Sequence, residues 1–487
     1  MQQSVWLLGA KILLLVLFGV NLYRAATQSI TTDEAYTYNR SVVTPIPDLW
    51  RDFDANDHVL HTLFCKLTTQ AFGVSEFTLR MPALAGGVLY FWTVFALCRM
   101  LFRDGPFLLL AVASLTLNPL MLDYCSIARG YGMATALLLF AFYHMLRFQE
   151  SVAELWRLHV VGFALALAAA ANLTVILPGT VLVLVFTAWY LGSARKHRSR
   201  LVARFDHLLN RLVIPGVVTA STLLLIPLLP AKRESFYVGS TEFIHFPISL
   251  VYACWWRPAN LLEHTAFHAI VENACLLAGK WIFPALGLVL AGFAFARRKI
   301  DVTQKWLLAT LLVTAAVQVL LHHSIGLLYP ERRTGLYYVP LLTLSFLALT
   351  DVSPRVLKAA GLTLALAAIG MFLISWNTRF YDEWLFDAST KDLMHQVRSR
   401  YGSRGPIRMS ASWPLLHGVT FYRNLYRLDW LELPPANSTV AAGYDLYLLT
   451  PSDWSLMERW RLQLVVEHPF TGVRLASYLP VEPQSTP

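Results

Sequence analysis

Two adjacent carboxylates, Asp33 and Glu34, stand in the stretch TTDEAYTYNR (31–40), directly after the first long apolar run. Two chemistries fit them. A carboxylate at a membrane surface that faces a water-filled cavity can act as a general base or a cation ligand. Acidic residues in the first turn of a helix also complement its dipole, and Glu34 is placed to reach back to Thr31 as a capping box. Neighbouring side chains on a helix project roughly 100° apart, so one carboxylate can cap or bind metal while the other faces a cavity.

A second constellation lies in DANDHVLH, where Asp54, Asp57, His58 and His61 follow one another at three- and four-residue spacings and so share one helical face. Such a face can ligate a divalent cation, or hold a phosphate through imidazolium. A solvated helix start with ordinary satisfied histidines is the plain alternative. His264 and His268, one turn apart in LEHTAFHAIVE (262–272), pose the same choice between metal binding and a packed or interfacial pair. The candidate metal ligands are therefore Glu34, Asp57, His58, His264 and His268, for a divalent ion whose identity the sequence leaves open.

The third set is cationic. Arg129 lies at the mouth of the fourth apolar run beside Gly130, Tyr131 and Gly132. An arginine at that depth is costly unless it is paired or faces water. Its guanidinium suits a bidentate phosphate contact, and the glycines admit a close approach to the backbone; snorkelling to the interface is the alternative. Arg332, Arg333 and Tyr337, in YPERRTGLYYVPL (329–341), sit at the outer end of the tenth run, against the positive-inside trend. Misplaced cations demand an anion, either a phosphate or Glu331 and the acidic first loop. Arg257 joins them behind Trp255 and Trp256, which suit an interfacial belt. No Walker A loop, dinucleotide fingerprint, GxSxG elbow or HExxH motif occurs, which argues against a nucleotide-driven pump and against a serine or zinc hydrolase.

The elements that must carry these residues are set by composition. The chain has 487 residues, 56% hydrophobic and 14% charged, and a mean hydropathy of +0.50. That is too apolar for a soluble domain. Runs long enough to span a bilayer recur near 6–23, 82–102, 106–122, 131–146, 158–172, 174–191, 212–230, 281–296, 306–321, 335–350 and 357–376, which predicts about eleven transmembrane helices. Lys and Arg alternate in the intervening loops, densest in ARKHRSRLVARFDHLLNR (194–211), and that side is cytoplasmic. The N-terminus is then inside and the C-terminus outside, periplasmic in a Gram-negative cell. The net charge of +10 reads as a topology signal with some attraction to anionic membrane lipids. Nothing points to nucleic acid. The first run reads as a retained helix rather than a cleaved signal, and the five scattered cysteines suggest no disulfide framework.

Segments 24–80, 231–280 and 377–487 are long enough to fold outside the membrane. The last changes character, with higher charge density, turn dipeptides, a strand-like run at 444–450 and a helical one at 390–402. The predicted fold is an all-α polytopic membrane protein, residues 1–376, followed by a small extracytoplasmic α/β domain, residues 377–487.

With these residues in place, the chain resembles the GT-C superfamily of polytopic glycosyltransferases, in the branch of protein O-mannosyltransferases and the lipid A aminoarabinose transferase. The resemblance rests on TTDEAYTY, on residues 54–102 with their G-x-S-E-x-x-x-R-x-P segment, and on NPLMLDYCSIARGYGMATALLL (118–139) with its R-x-Y motif. It covers about the first 150 residues, and beyond them only hydropathy continues it. The resemblance implies Asp33 as the catalytic carboxylate that takes the acceptor's proton, with Glu34 beside it as metal ligand or support. It implies that Arg129 and one of Arg332 and Arg333 hold a carrier phosphate. His58 occupies the family's His-Pro-Pro region, although DHVLH lacks the prolines.

The expected activity is therefore an inverting transfer of a sugar from a polyprenyl-phosphate carrier to a hydroxyl of a lipid, glycan or protein acceptor outside the membrane. The rival reading is a lipid or polyisoprenoid-phosphate flippase, which would use the same arginines without chemistry but has no need of a base at Asp33. The sugar and the acceptor lie beyond the sequence.

Overall fold

The computed structural model describes residues 4–193, 198–257, 265–296, 300–402, 405–436 and 438–478. Its first helices are Val5–Thr27 (α1), Thr32–Thr37 (α2), Val59–Phe72 (α3), Glu76–Leu101 (α4), Pro106–Thr116 (α5), Pro119–Tyr124 (α6) and Gly130–Glu150 (α7). There follow Trp156–Ala171 (α8), Ile176–Gly192 (α9), Arg198–Leu208 (α10), Ile214–Leu228 (α11), His245–Cys254 (α12), His268–Leu277 (α13) and Phe283–Ala296 (α14). Val302–Ile325 (α15), Tyr338–Val352 (α16), Arg355–Ser375 (α17), Thr390–Tyr401 (α18), Trp413–Leu425 (α19) and Ser455–Trp460 (α20) complete the helices.

Each predicted apolar run coincides with a helix except 106–122, which is divided between α5 and α6 because Leu117 and Asn118 leave helical geometry. Among the described residues, seven helices are long and apolar enough to cross a membrane: α1, α4, Leu173–Gly192, Arg200–Leu228, His268–Ala296, α15 and α17. α5, α8, α12 and α16 are shorter apolar helices, and α7 covers the run expected at 131–146. The protein is a multi-pass membrane protein. Its longer spans absorb irregularities as single wide turns of π type, at Leu209–Val213 and Ala278–Ile282, a tolerated interruption of an otherwise continuous helix.

The chain divides into two compact units, each built from separate stretches of sequence. The first comprises Met1–Leu22, Trp50–Phe64 and Met81–Trp376. Here α7 lies along α8, whose buried Ala164, Ala166, Ala168, Ala170 and Ala171 allow close helix contact. Leu290 and Ala294 of α14 pack with Phe346 and Leu349 of α16, and Phe283 stacks on Phe346 with ring centroids 4.2 Å apart.

The second unit comprises Tyr23–Leu49, Cys65–Arg80 and Asn377–Pro487. Its sheet is built from Ile407–Ala411 (β1), Leu431–Glu432 (β2), Leu446–Leu449 (β3), Gln463–Glu467 (β4) and Arg474–Ser477 (β5), in the order β2-β1-β3-β5-β4. β1 runs parallel to β2 and β3, while β5 is antiparallel to β3 and β4. All four residues of β3 are buried, as expected of a central strand covered on both faces. The strand expected at 444–450 and the helix expected at 390–402 are β3 and α18.

Candidate active site

The acidic pair is carried by α2, a six-residue helix that could not persist alone. Its start is fixed by Thr31, whose side chain accepts the Glu34 N–H at 3.3 Å while the Thr31 N–H donates to Glu34 Oε2 at 2.9 Å. The expected capping box is present. Glu34 does more than cap: Arg80 donates from Nε to Oε1 at 2.8 Å and from Nη2 to Oε2 at 2.7 Å, and both side chains are fully buried. The other Arg80 donors reach the carbonyls of Ala25, Gln28 and Ser29, so the guanidinium ties the end of α1 to the start of α2. Tyr381 stacks near two guanidinium carbons, 4.6 Å from Arg24 and 5.3 Å from Arg80.

The tail segment closes on the same helix. Asp387 Oδ2 accepts the Thr32 N–H at 2.5 Å, and its Oδ1 lies 3.0 Å from the Thr32 hydroxyl, which also reaches the Pro414 carbonyl. Tyr36 meets His417 edge-on at 5.1 Å, and Asn39 donates to the His417 carbonyl at 3.0 Å. Nearby, Tyr422 receives the Ile30 N–H at 2.9 Å and donates to Glu76 Oε1, also at 2.9 Å, which in turn pairs with Lys391 at 2.9 Å. Asp33 is half-buried and acts electrostatically on two groups. Burial pushes the Asp387 carboxyl well above the ordinary carboxylate range, opposed by the Thr32 hydrogen bonds and reinforced by the charges of Asp33 and Glu34. Burial lowers His417, and the Asp33 charge works the other way.

The basic residues of the first unit gather around His58. Arg129 is fully buried as the residue preceding α7, and its two terminal nitrogens donate to the Asn56 carbonyl at 3.0 Å and to Asn56 Oδ1 at 2.8 Å. A Cβ on Gly130 would sit 1.9 Å from the Ala171 carbonyl oxygen and 3.0 Å from His58 Cβ, and one on Gly132 would sit 2.1 Å from the Tyr124 carbonyl oxygen. Only glycine fits there. Tyr131 meets His58 edge-on at 4.8 Å and Tyr124 at 5.1 Å. Burial first, then Arg129, His61 and Arg333, hold His58 well below the ordinary imidazole value. His61 is lowered to about 3 by burial and then by Arg129.

Several expectations are corrected. The shared helical face from Asp54 to His61 does not form, because α3 starts only at Val59. Before it the chain turns, with the Asp57 N–H on the Asp54 carbonyl at 2.9 Å and the Asp54 N–H on Asp57 Oδ2 at 3.3 Å; short acidic side chains compete with helix in this way. Arg257 does not wait for a substrate anion, since Asp123 Oδ2 lies 2.9 Å from its Nη2 with both side chains buried. Arg332 adopts a left-handed φ of 43°, and its N–H donates to the Ser249 hydroxyl at 3.1 Å. Tyr337 is buried beside Tyr338, ring centroids 4.6 Å apart.

The residues expected to bind metal do not fit one. Both Glu34 oxygens are engaged by Arg80 and Thr31, His58 Nδ1 is taken by Asn172 at 2.9 Å, and His268 packs against buried Trp256 at 4.9 Å. His264 lies outside the described residues. Among the described residues no group of three or more His, Cys, Asp or Glu could hold a metal ion, and no step is derived through one. Sequence reasoning passed over Arg80, Asp387, His417, Asn56 and Asn172. Arg80 stood in the G-x-S-E-x-x-x-R-x-P segment, whereas no local signal marks the others.

Fold and site together describe a polytopic membrane protein with an α/β unit that carries a five-stranded sheet. The chain is similar in fold to ArnT from Cupriavidus metallidurans bound to undecaprenyl phosphate, with 13% identity, 97% of this chain and 99% of that chain covered, and a TM-score of 0.50. The apo form of the same ArnT gives 13% identity over 96% and 97% at a TM-score of 0.41. The Archaeoglobus fulgidus oligosaccharyltransferase complex with Zn and sulfate gives 11% over 92% of this chain and 69% of that chain, at a TM-score of 0.46. The fold assignment rests on the first of these. No protein-family model matches the chain, and no curated protein matches it by sequence.

Proposed function

We propose that the protein is an inverting glycosyltransferase that moves a sugar from a polyprenyl-phosphate carrier to an acceptor hydroxyl on the outer face of the membrane, with the N-terminus cytoplasmic and residues 377–487 extracytoplasmic. The observation that carries this reading is the difference between the two carboxylates of α2: Glu34 is fully buried in the Arg80 ion pair and caps the helix, whereas Asp33 is half-buried. The GT-C-type fold supports it, as does the undecaprenyl phosphate bound by the similarly folded ArnT.

In this reading Asp33 accepts the proton of the acceptor hydroxyl as its oxygen attacks the anomeric carbon, and the bond from that carbon to the phosphate oxygen breaks. The departing lipid phosphate keeps the electron pair. Within the first unit, Arg129 and Arg333, with His58, are the groups that would hold the phosphate of a carrier. Arg332 is a further cation for the carrier phosphate, and Tyr131 packs edge-on against His58.

The test is incubation of purified protein with radiolabelled polyprenyl-phosphate sugars and cell-envelope extract. The reading expects one extract component to gain label and Asp33→Asn to abolish transfer while the protein stays in the membrane. Carrier movement across vesicles without any labelled product, or full transfer by Asp33→Asn, would overturn it in favour of a flippase.

A further inference from the structure

In the second unit, β1 runs directly into α19, and Ser412 between them is fully buried. Its N–H donates to the Leu448 carbonyl at 2.8 Å, and its hydroxyl accepts the Thr450 N–H at 3.0 Å while donating to the Asp453 carboxylate. The next residue, Trp413, opens α19 and is 55% exposed. A large aromatic ring standing in solvent on so firmly held a base is a rigid platform.

α19 runs alongside α2 in the same direction. The Thr32 hydroxyl reaches the Pro414 carbonyl, the Tyr36 ring meets His417, and the Tyr38 ring meets Phe421 at 5.1 Å. Asp33 and Tyr36, three positions apart, share a face of α2, and Trp413 and His417, four apart, share a face of α19. His417 is only 5% exposed, and among the described residues nothing hydrogen-bonds either of its ring nitrogens. The charge that acts on that ring is Asp33. A buried imidazole with its nitrogens open is completed by a ligand.

An indole face, a carboxylate and an imidazole are together the complement of a pyranose. The ring C–H groups of a sugar carry partial positive charge that suits the electron-rich indole face, and its hydroxyls donate and accept in turn. An acyl chain would use the indole alone and leave both polar groups unmatched.

We propose that α19 forms a carbohydrate subsite beside Asp33, in which Trp413 stacks against a pyranose ring and His417 hydrogen-bonds one of its hydroxyls, so that the acceptor is a sugar rather than a protein side chain or a simple lipid alcohol. The proposal rests on the glycosyltransferase reading only in calling the bound sugar the acceptor.

The test is saturation-transfer NMR on the full chain in phosphatidylcholine nanodiscs, with the methyl α- and β-pyranosides of glucose, galactose and mannose as probes. At least one is expected to take up saturation, strongest on the C–H protons of one ring face. Trp413→Ala is expected to weaken its binding about two- to tenfold, the worth of an aromatic contact, and Trp413→Tyr to keep most of it. His417→Gln is expected to weaken binding by about the same factor, through the lost hydrogen bond. Tyr478→Ala, which removes another exposed aromatic ring of the same unit, is the control and is expected to change nothing. A wild-type protein that takes up none of these pyranosides overturns the proposal without any variant having to fold. So does binding that Trp413→Ala leaves unchanged. Pyranoside binding with no labelled product in the transfer assay sinks the glycosyltransferase reading and leaves this one standing; label passing to a sugar-free component, with no pyranoside bound, does the reverse.

Discussion

Arg80 grips Glu34 through two parallel hydrogen bonds of 2.8 and 2.7 Å, with neither side chain reaching solvent. Arg80 lies near the start of the membrane-length helix α4 and Glu34 in the six-residue helix α2, so the pair joins two elements through residues 46 positions apart. Removing either partner strands a buried charge. Glu34→Gln and Arg80→Met are each expected to destabilise the fold by about 3–5 kcal/mol, and the double variant by less than the sum of the two. Thermal unfolding in detergent measures both; additive losses would show that the two side chains do not act as a pair.

Asp33 should behave in the opposite way from its neighbour. It is half-buried and no helix cap depends on it, so Asp33→Asn is expected to leave the melting temperature nearly unchanged. The loss falls on transfer instead, by about 10²-fold or more, the scale of a missing general base. Comparing melting curves and initial rates for the Asp33 and Glu34 variants separates the chemical carboxylate from the structural one.

Asp387 predicts a pH dependence. The Thr32 hydroxyl has one proton and two acceptors, Asp387 Oδ1 and the Pro414 carbonyl, and a protonated Asp387 resolves the shortage by donating to Thr32 Oγ1. Burial raises this carboxyl in the folded state, so its contribution to stability is complete below the ordinary carboxylate pKa of about 3.9 and is lost as pH rises through the raised native value. An amide imitates the protonated acid. Asp387→Asn is therefore expected to fold, and to lose less stability than the wild-type protein as pH rises above the ordinary carboxylate range. Parallel profiles for the two proteins would rule this out.

Gly130 predicts a steric failure at the first unit's site. An added methyl would meet the Ala171 carbonyl oxygen at 1.9 Å, a backbone atom that cannot swing aside. Gly130→Ala is expected to cost about 1–3 kcal/mol through forced backbone movement, and to weaken phosphate binding because His58 lies against the same spot. Ala at Gly19, where the added atom meets nothing within 4 Å, is the control. Melting temperature and phosphate titration of the two variants check it.

The residues that could be read from sequence were those with local patterns. Apolar runs announce spans because lipid admits no other backbone, and TTDE announces a capped helix because the cap is a four-residue event. The tail's β3 and α18 carried their own periodicity. Partners distant in the chain left no such trace: Asp387 and Thr32 are 355 positions apart, and Asn172 and His58 are 114 apart. Reading Asp54 to His61 as one helical face failed because an Asp-rich turn satisfies its own backbone before α3 begins. Arg257 looked like a cation in search of a ligand because its counter-ion, Asp123, sits far back in the sequence on α6.

The second unit draws on residues 23–49, 65–80 and the chain's final segment from Asn377. A ribosome delivering this chain to a membrane releases the Asp33 segment early and the Asp387 segment near the end. Until then α2 has no Asp387 against its first residue. A chain that ends before Asp387 would keep the first unit's helices and lack the contact that holds the start of α2.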